Sequence, residues 1–490
     1  MFTKISTRII SALAGLAISA SLVACGGVVP GGHRGGGAVA AAPTVAADVA
    51  SVLAANADVH STSLDYDADA AQTIELGGAG TEISAPGVYR LTGTVSDGQI
   101  IVNSPDPGAV YLILDGVNVA SSSSAALNIV SAGEVVVVLA DGSANTLSDA
   151  PGYATGEDGP SGALYSSADL TITGTGSLTV NGNDSDGIVA KDGLVIDSGT
   201  IAVNAADDAI RGKDYLAING GTITVTAGGD GLKSDNAEDA AKGFVAIKGG
   251  AVTVTAGDDG VHGQTDTIVG GGDVTVSAGG DGLTSNTVLV VGGGTTTVTA
   301  STEGLESTEV AITGGTLDLT SSDDAINASA SDSSTAMPSL VISGGTVNLD
   351  AEGDGIDVNG TFTMSGGTVT VHGPTHDGNG AMDVDSGFVV NGGTLLAGGA
   401  AGMAITPDSS SGQGWIAIQA SYSAGQTIEV RDSSGTVLAT YRAKKNSASL
   451  VVSAEGLVNG SSYAVYVDGN NPINVIAGQA PWGGRGGPRG

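Results

Sequence analysis

The chain has one cysteine, Cys25, in 490 residues, so no disulfide can form within it. Aromatics are 3% of the residues, and Trp415 and Trp482 are the only tryptophans, which argues against a sugar platform of stacked rings. Positive charge is scarce: 16 Lys and Arg stand against 51 Asp and Glu, a formal net charge of -35. Phosphate backbones are held by clustered Lys and Arg, so nucleic acid is excluded as a partner and cations are favoured. The scarcity is also local, because no Lys or Arg occurs between Lys248 and Arg431. That stretch cannot neutralise its own acids.

Long apolar runs are confined to the start. Lys4 and Arg8 precede an apolar run from Ile9 to Ala24, the pattern of an export signal over residues 1–24. It closes on Leu22-Val23-Ala24-Cys25-Gly26, which resembles the bacterial lipobox. The expectation is an exported protein with a lipid on Cys25, held at the cell envelope through that lipid alone and facing outward or into the periplasm. Residues 25–72 read as a Gly-, Ala- and Pro-rich flexible tether.

What is abundant is glycine, 81 residues, and it returns with a period. An acid, then Gly or Ala, then an aliphatic recurs at Asp186, Asp208, Asp230, Asp259, Asp281, Glu303, Asp324 and Asp354, mostly 22 residues apart. Each unit holds three short apolar segments, as in Leu216 and Ile218, then Ile223 and Val225, then Leu232, with a Gly-Gly-Thr turn between the first two. The next unit fills the same slots with Val245, Ile247, Val252, Val254 and Val261. Segments this short and rich in Val, Ile and Thr are strands, and alternation points one face of each inward. A fixed period with three strands per turn predicts an all-β fold, a right-handed parallel β-helix over residues 73–400 with about 22 residues per coil. At about 4.8 Å per coil, roughly a dozen coils make a rod about 55–60 Å long. The insertions Ser234–Gly243 and Asn327–Pro338 fall in the same connection and should project from one edge. Beyond residue 400 the period is lost, and a small all-β cap or module is expected over 401–475, then a disordered Gly/Arg tail over 476–490. The protein is read as a monomer.

The acid ladder is the strongest chemical signal. Asp before Gly is common turn chemistry, but Asn would serve there equally well, and all eight copies are acidic. Stacked carboxylates about 5 Å apart repel by about 1 kcal/mol per pair even in water. Ca²⁺, which takes 6–8 oxygens, would compensate. The candidate metal ligands are Asp186, Asp207, Asp208, Asp230, Asp258, Asp259, Asp281, Glu303, Asp323, Asp324, Asp354 and Asp357. Three residues after the acids runs a second series, Arg211, Lys233, His262, Thr284, Glu306, Asn327, Asp357 and, one irregular coil later, Asp383, basic at first and acidic later. Arg211, Lys213 and Lys233 are the candidates to grip the carboxylates of a uronic-acid polymer.

The chain closely resembles the bacterial calcium- and carbohydrate-binding domain-containing surface proteins, a family with a pectate-lyase-like β-helix. The phrases that carry the resemblance are SDGQIIVNSPDPGAVYLILDGVNVASSSSAALNI from Ser96, VVVLADGSANTLSD from Val136, NGNDSDGIVAKDGLVI from Asn181, DDAIRGKDYLAINGGTITVTAGGDGLKSDN from Asp207 and EDAAKGFVAIKGGAVTVTAGDDGV from Glu238. The resemblance implies Ca²⁺-dependent, non-catalytic adhesion to plant-type polysaccharides such as polygalacturonate or cellulose, with the metal role on the turn acids. Glu303 and Gly380 depart from the family's Asp. Two alternatives stay open. One is a polysaccharide lyase, which needs a base such as Lys191, Arg211, Lys213 or Lys233 beside a metal. The other is a structural surface protein with no sugar ligand.

Overall fold

A computed structural model describes residues 47–56, 59–60, 64–153, 159–331 and 335–482. The expected export signal, Cys25, the first part of the tether and the last residues of the tail lie outside the described residues.

Each coil contributes three strands. In one coil they are Tyr215–Ile218, Thr222–Ala227 and Leu232–Ser234; in the next, Phe244–Ile247, Ala251–Ala256 and Val261–Gly263. Equivalent strands pair in parallel, with Tyr215 beside Phe244, Thr222 beside Ala251 and Leu232 beside Val261. Thirteen strands stack this way on the face that carries the acid ladder. The architecture is a parallel β-helix. The apolar slots line its interior, where Leu216, Ile218, Ile223 and Leu232 have no exposed surface. At about 1.5–3 kcal/mol per buried aliphatic side chain, five slots per coil suffice without disulfides. Gly250 shows why the turn between the first two strands is glycine: its φ is +89°, and a Cβ there would lie 2.7 Å from the Gly221 carbonyl of the coil before.

The C-terminal strands are Trp415–Tyr422, Thr427–Arg431, Val437–Arg442, Ser447–Ser453 and Ser462–Val467, with one further strand, Ile473–Ile476. The module is joined to the solenoid: Leu395–Gly399 of the last coil pairs antiparallel with Ser449–Ser453. This closes an edge that would otherwise offer unpaired backbone.

The stretch expected to be tether up to residue 72 is corrected in its second half. Val49–Ala55 forms a helix, capped where Asp48 accepts from the Ser51 amide and Ser51 answers the Asp48 amide. Val52 buries against Tyr215, Phe244, Ile268 and Val290, which point outward from the coils. Asn56 Nδ2 donates to Asp266 Oδ2 at 2.9 Å. An apolar outer face needs a cover, and this helix is the cover.

Candidate functional site

The ladder acids end one turn and begin the strand that closes the coil, so stacking places each above the last. Their backbone amides form a chain of bonds: the Asp208 amide donates to Asp186 Oδ1 at 3.3 Å, Asp230 to Asp208 at 2.9 Å, Asp259 to Asp230 at 3.0 Å and Asp281 to Asp259 at 2.8 Å. Glu303 donates to Asp281 Oδ1 at 3.1 Å, Asp354 to Asp324 Oδ1 at 2.6 Å, and the Gly380 amide to Asp354 Oδ1. An Asn carbonyl could accept any of these bonds. The requirement for an acid therefore lies with the second oxygen.

In the early coils the second oxygen meets a base from the strand that follows. Arg211 lies 2.9 Å from Asp186 Oδ2 and 3.4 Å from Asp235 Oδ2. Lys233 Nζ bridges Asp208 Oδ2 at 3.0 Å and Asp230 Oδ2 at 2.7 Å. Burial opposes the charge of Lys233, yet its bonds to Asp230 and Asp208 outweigh burial and hold its pKa up. His262 Nδ1 stands 3.4 Å from Asp259 Oδ2, an ion-pair distance without the alignment of a hydrogen bond. Arg211 and Lys233, expected to grip sugar carboxylates, are here paired with carboxylates of the ladder itself. Lys213 makes no ion pair among the described residues.

The second series is in cross-coil register, with Arg211 beside Lys233, His262 beside Thr284, Glu306 beside Asn327 and Asp357 beside Asp383. Where it turns acidic, the ladder loses its bases. Three acidic groups have potential ligand oxygens within 4.8 Å of one another: Asp230 with Asp258 and Asp259, Asp281 with Glu303 and Glu306, and Asp324 with Asp354 and Asp357. The first shares Asp230 with Lys233. The other two lie within the stretch without Lys or Arg. There burial, and then neighbouring carboxylates, push Asp281 up, Glu303 to about 8 and Asp357 to about 6. Burial likewise takes Asp324 to about 7 and Asp354 to about 6. Burial raises Asp186 to about 6 as well, although Arg211 meets it, so what sets the late groups apart is that their coils hold no Lys or Arg. Glu303 Oε2 and Asn327 Oδ1 are buried without a hydrogen-bond partner, so the oxygen-only donor set fits a hard divalent cation such as Ca²⁺.

Of the twelve candidate ligands, Asp186, Asp207, Asp208 and Asp323 fall outside these three groups, and Glu306 joins one. Glu306 was visible in the series three residues after each acid. A second signal is the alternation of Asp-Asp with Gly-Asp from Asp207-Asp208 to Gly280-Asp281, interrupted at Thr302-Glu303 and resumed at Asp323-Asp324 and Gly353-Asp354. Gly280 sits where a Cβ would come within 2.6 Å of Asp259 Oδ1 and 2.9 Å of Asp258 Oδ1, so glycine leaves room for the carboxylates below it.

The insertions do share an edge: Ala237–Ala240 of one and Met337 of the other line a groove of about 450 Å³, floored by Gln264, Asn286 and Thr308.

A family model described as carbohydrate-binding domain-containing protein matches residues 77–325 and 280–440, together about three quarters of the chain. A curated carbohydrate-binding domain-containing protein of Acetivibrio thermocellus is 42% identical over 127 residues, which is 25% of this chain and 44% of that one. The match thus spans less than half the length of the relative. Among solved structures, a polysaccharide lyase-like protein from C. thermocellum, determined as a gadolinium derivative, is 36% identical, with 44% of this chain and 95% of that chain covered and a TM-score of 0.43.

Proposed function

We propose, on the premise that the chain belongs to the carbohydrate-binding domain-containing protein family, that it binds acidic polysaccharide through Ca²⁺ held on the late part of the acid ladder, without catalysing a reaction. The observation that carries this reading is the loss of bases along the ladder. Early carboxylates are matched by Arg211 and Lys233, whereas Asp281, Glu303 and Glu306, and Asp324, Asp354 and Asp357, gather in coils that contain no Lys or Arg. Ca²⁺ takes 6–8 oxygens, so with one oxygen from each of three carboxylates a bound ion would have positions left for a sugar's carboxylate and hydroxyls. A uronate polymer offers both at each residue.

A binding role is favoured over lyase chemistry because proton abstraction beside the metal needs a base. The late coils themselves hold no Lys or Arg, and Arg211 and Lys233 are engaged by carboxylates. Export and lipid attachment at Cys25 belong to the same reading, which would place the rod at the cell surface. Loss of acyl labelling in Cys25→Ser checks that part.

The deciding experiment is retention on immobilised polygalacturonate. Retention in Ca²⁺, release by excess EDTA and recovery on adding Ca²⁺ back are expected, with no unsaturated product accumulating. Retention unchanged in EDTA overturns the bridging role, and steady formation of unsaturated product overturns the non-catalytic one.

A further inference from the structure

Positive charge returns to the late coils from the C-terminal module, which brings Arg442, Lys444 and Lys445 against the solenoid wall. Lys445 Nζ lies 2.9 Å from both Asp350 Oδ1 and Glu352 Oε1 and donates to the Ala351 carbonyl at 2.7 Å. Lys444 Nζ lies 3.0 Å from Asp350 Oδ2, with 61% of its side chain still exposed. Arg442 is exposed and forms no ion pair among the described residues. The other arginines among the described residues, Arg90, Arg211 and Arg431, each pair with a carboxylate.

Arg442 does not stand on an open surface. With Lys444, Asp318, Thr320, Asn348 and His372 it lines a groove of about 350 Å³ between the module and the coils. Asn348 Nδ2 donates to Asp318 Oδ1 at 2.8 Å, which gives that acid a partner within the wall. His372 is fixed through Nδ1 to the Tyr441 hydroxyl at 2.9 Å, and burial pushes it down to about 4, so it is a neutral wall at ordinary pH. The groove thus combines the guanidinium of Arg442, the ammonium of Lys444 that Asp350 also meets, the Asn348 amide with the Asp318 carboxylate it holds, and the Thr320 hydroxyl, in a concavity within the usual size of ligand sites, with room for about one or two sugar rings. A guanidinium presents paired N–H groups that match a carboxylate in two parallel bonds.

We propose that this groove is a uronate subsite, in which Arg442 with Lys444 holds a sugar carboxylate directly while Asn348 and Thr320 meet the sugar's hydroxyls. The choice of a uronate as the anion rests on the proposed function; the groove and its unpaired guanidinium do not. Asn348 precedes Asp354 by six residues, at most about 21 Å of chain. One polymer could therefore lie in the groove and continue to the group of Asp324, Asp354 and Asp357, so that a direct contact and a metal-bridged contact act on the same strand. Two linked contacts bind far more tightly than either alone.

The test is calorimetric titration of trigalacturonate, with cellotriose as the neutral control, into the wild type, Arg442→Ala, Arg442→Lys and Lys444→Ala at saturating Ca²⁺. Arg442→Ala should weaken trigalacturonate 10- to 100-fold, the loss of a charge-assisted pair. Arg442→Lys should recover part of it. Ca²⁺ titration should be unchanged in all variants and Tm in the two Arg442 variants, which separates a lost contact from a damaged fold. Trigalacturonate affinity within twofold of wild type in both Arg442→Ala and Lys444→Ala overturns the groove, as does a wild type that retains polygalacturonate but takes up no trigalacturonate. A wild type that binds neither overturns the function proposed above, and the ligand class of the groove with it.

Discussion

Lys233 Nζ lies 3.0 Å from Asp208 Oδ2, on the carboxylate whose Oδ1 accepts the Asp230 amide at 2.9 Å. The carboxylate is divided between two tasks. One oxygen ties the next coil's backbone, and the other requires a positive charge. The first task repeats along the ladder, while the source of charge for the second changes from side chains to none.

Replacing Lys233 with Met should therefore convert an early coil into a late one. Asp208 and Asp230 are buried, and removing the base leaves two unpaired carboxylates, a loss of about 3–5 kcal/mol for a broken buried pair. Ca²⁺ should recover part of it. Thermal unfolding of Lys233→Met in EDTA and in Ca²⁺ measures both, and a Ca²⁺-induced rise in Tm no larger than that of the wild type contradicts the equivalence of base and metal.

The reverse substitution acts on the late coils. Asp324→Asn keeps an oxygen that can accept the Asp354 amide but removes the charge, and the same holds for Asp354→Asn toward Gly380. The metal-free double variant should melt higher than metal-free wild type, because buried repulsion is gone. It should also respond less to Ca²⁺. A site that binds only the folded chain adds about 2.7 kcal/mol at a ligand concentration 100 times its Kd. Calorimetric counting of bound Ca²⁺ checks the result: the double variant should lose one ion relative to wild type.

The coil itself was legible because buried and exposed positions alternate in the second strand of the repeats, as in Thr222–Ala227 and Ala251–Ala256, and the inward positions of Ile223 and Val225 carry aliphatics in most repeats, Thr296 being an exception. The ladder was legible because it is strictly acidic. The partner of each acid was not, since a base three residues on can turn either to solvent or back to the coils, and only the stacking of Arg211 and Lys233 over the preceding acids decides it. The strap Val49–Ala55 was missed for a different reason. Seven residues carry too little periodicity to stand out in Ala-rich sequence, and the sign of its partner lay far away, in Tyr215, Phe244, Ile268 and Val290 at positions that should have faced water.

That strap yields its own prediction. Val52 is 5% exposed, and His60 farther along the same segment meets the Tyr215 hydroxyl through Nδ1 at 2.6 Å and the Thr171 hydroxyl through Nε2 at 2.8 Å. Val52→Asp places a charge in this apolar seam and should release the helix, at a loss of about 2–3 kcal/mol for the buried side chain. Limited proteolysis should then cut between residues 47 and 60 while the solenoid resists. Equal cleavage of wild type and variant would show that the seam does not hold the segment.

The metal-free protein should become less stable as pH rises across neutrality. Glu303 is raised from its ordinary 4.5 to about 8 and Asp324 from 3.8 to about 7, both by burial first and then by neighbouring carboxylates, and Asp281 moves the same way. An acid whose pKa is higher in the folded state takes up protons on folding between its unfolded and folded values. The contribution of these groups is therefore complete below about pH 4 and is lost as pH climbs through 7 to 8. Asp350 runs the other way, because bonds from Lys445 and Lys444 overcome burial and hold its pKa down, whereas Asp186, although Arg211 meets it, is raised to about 6 by burial. Asp186 therefore shares the window between pH 5 and 8 with the late ladder and moves stability in the same direction, while Glu303 and Asp324 carry the loss up to pH 7 to 8. Tm measured in EDTA should fall across that window, and Ca²⁺ should flatten the profile by replacing protons with a charge that does not titrate away. Glu303→Gln with Asp324→Asn should flatten it without Ca²⁺. A metal-free Tm that rises from pH 5 to 8 would mean that these carboxylates find internal partners in solution, and the case for a cation on the late coils would fall with it.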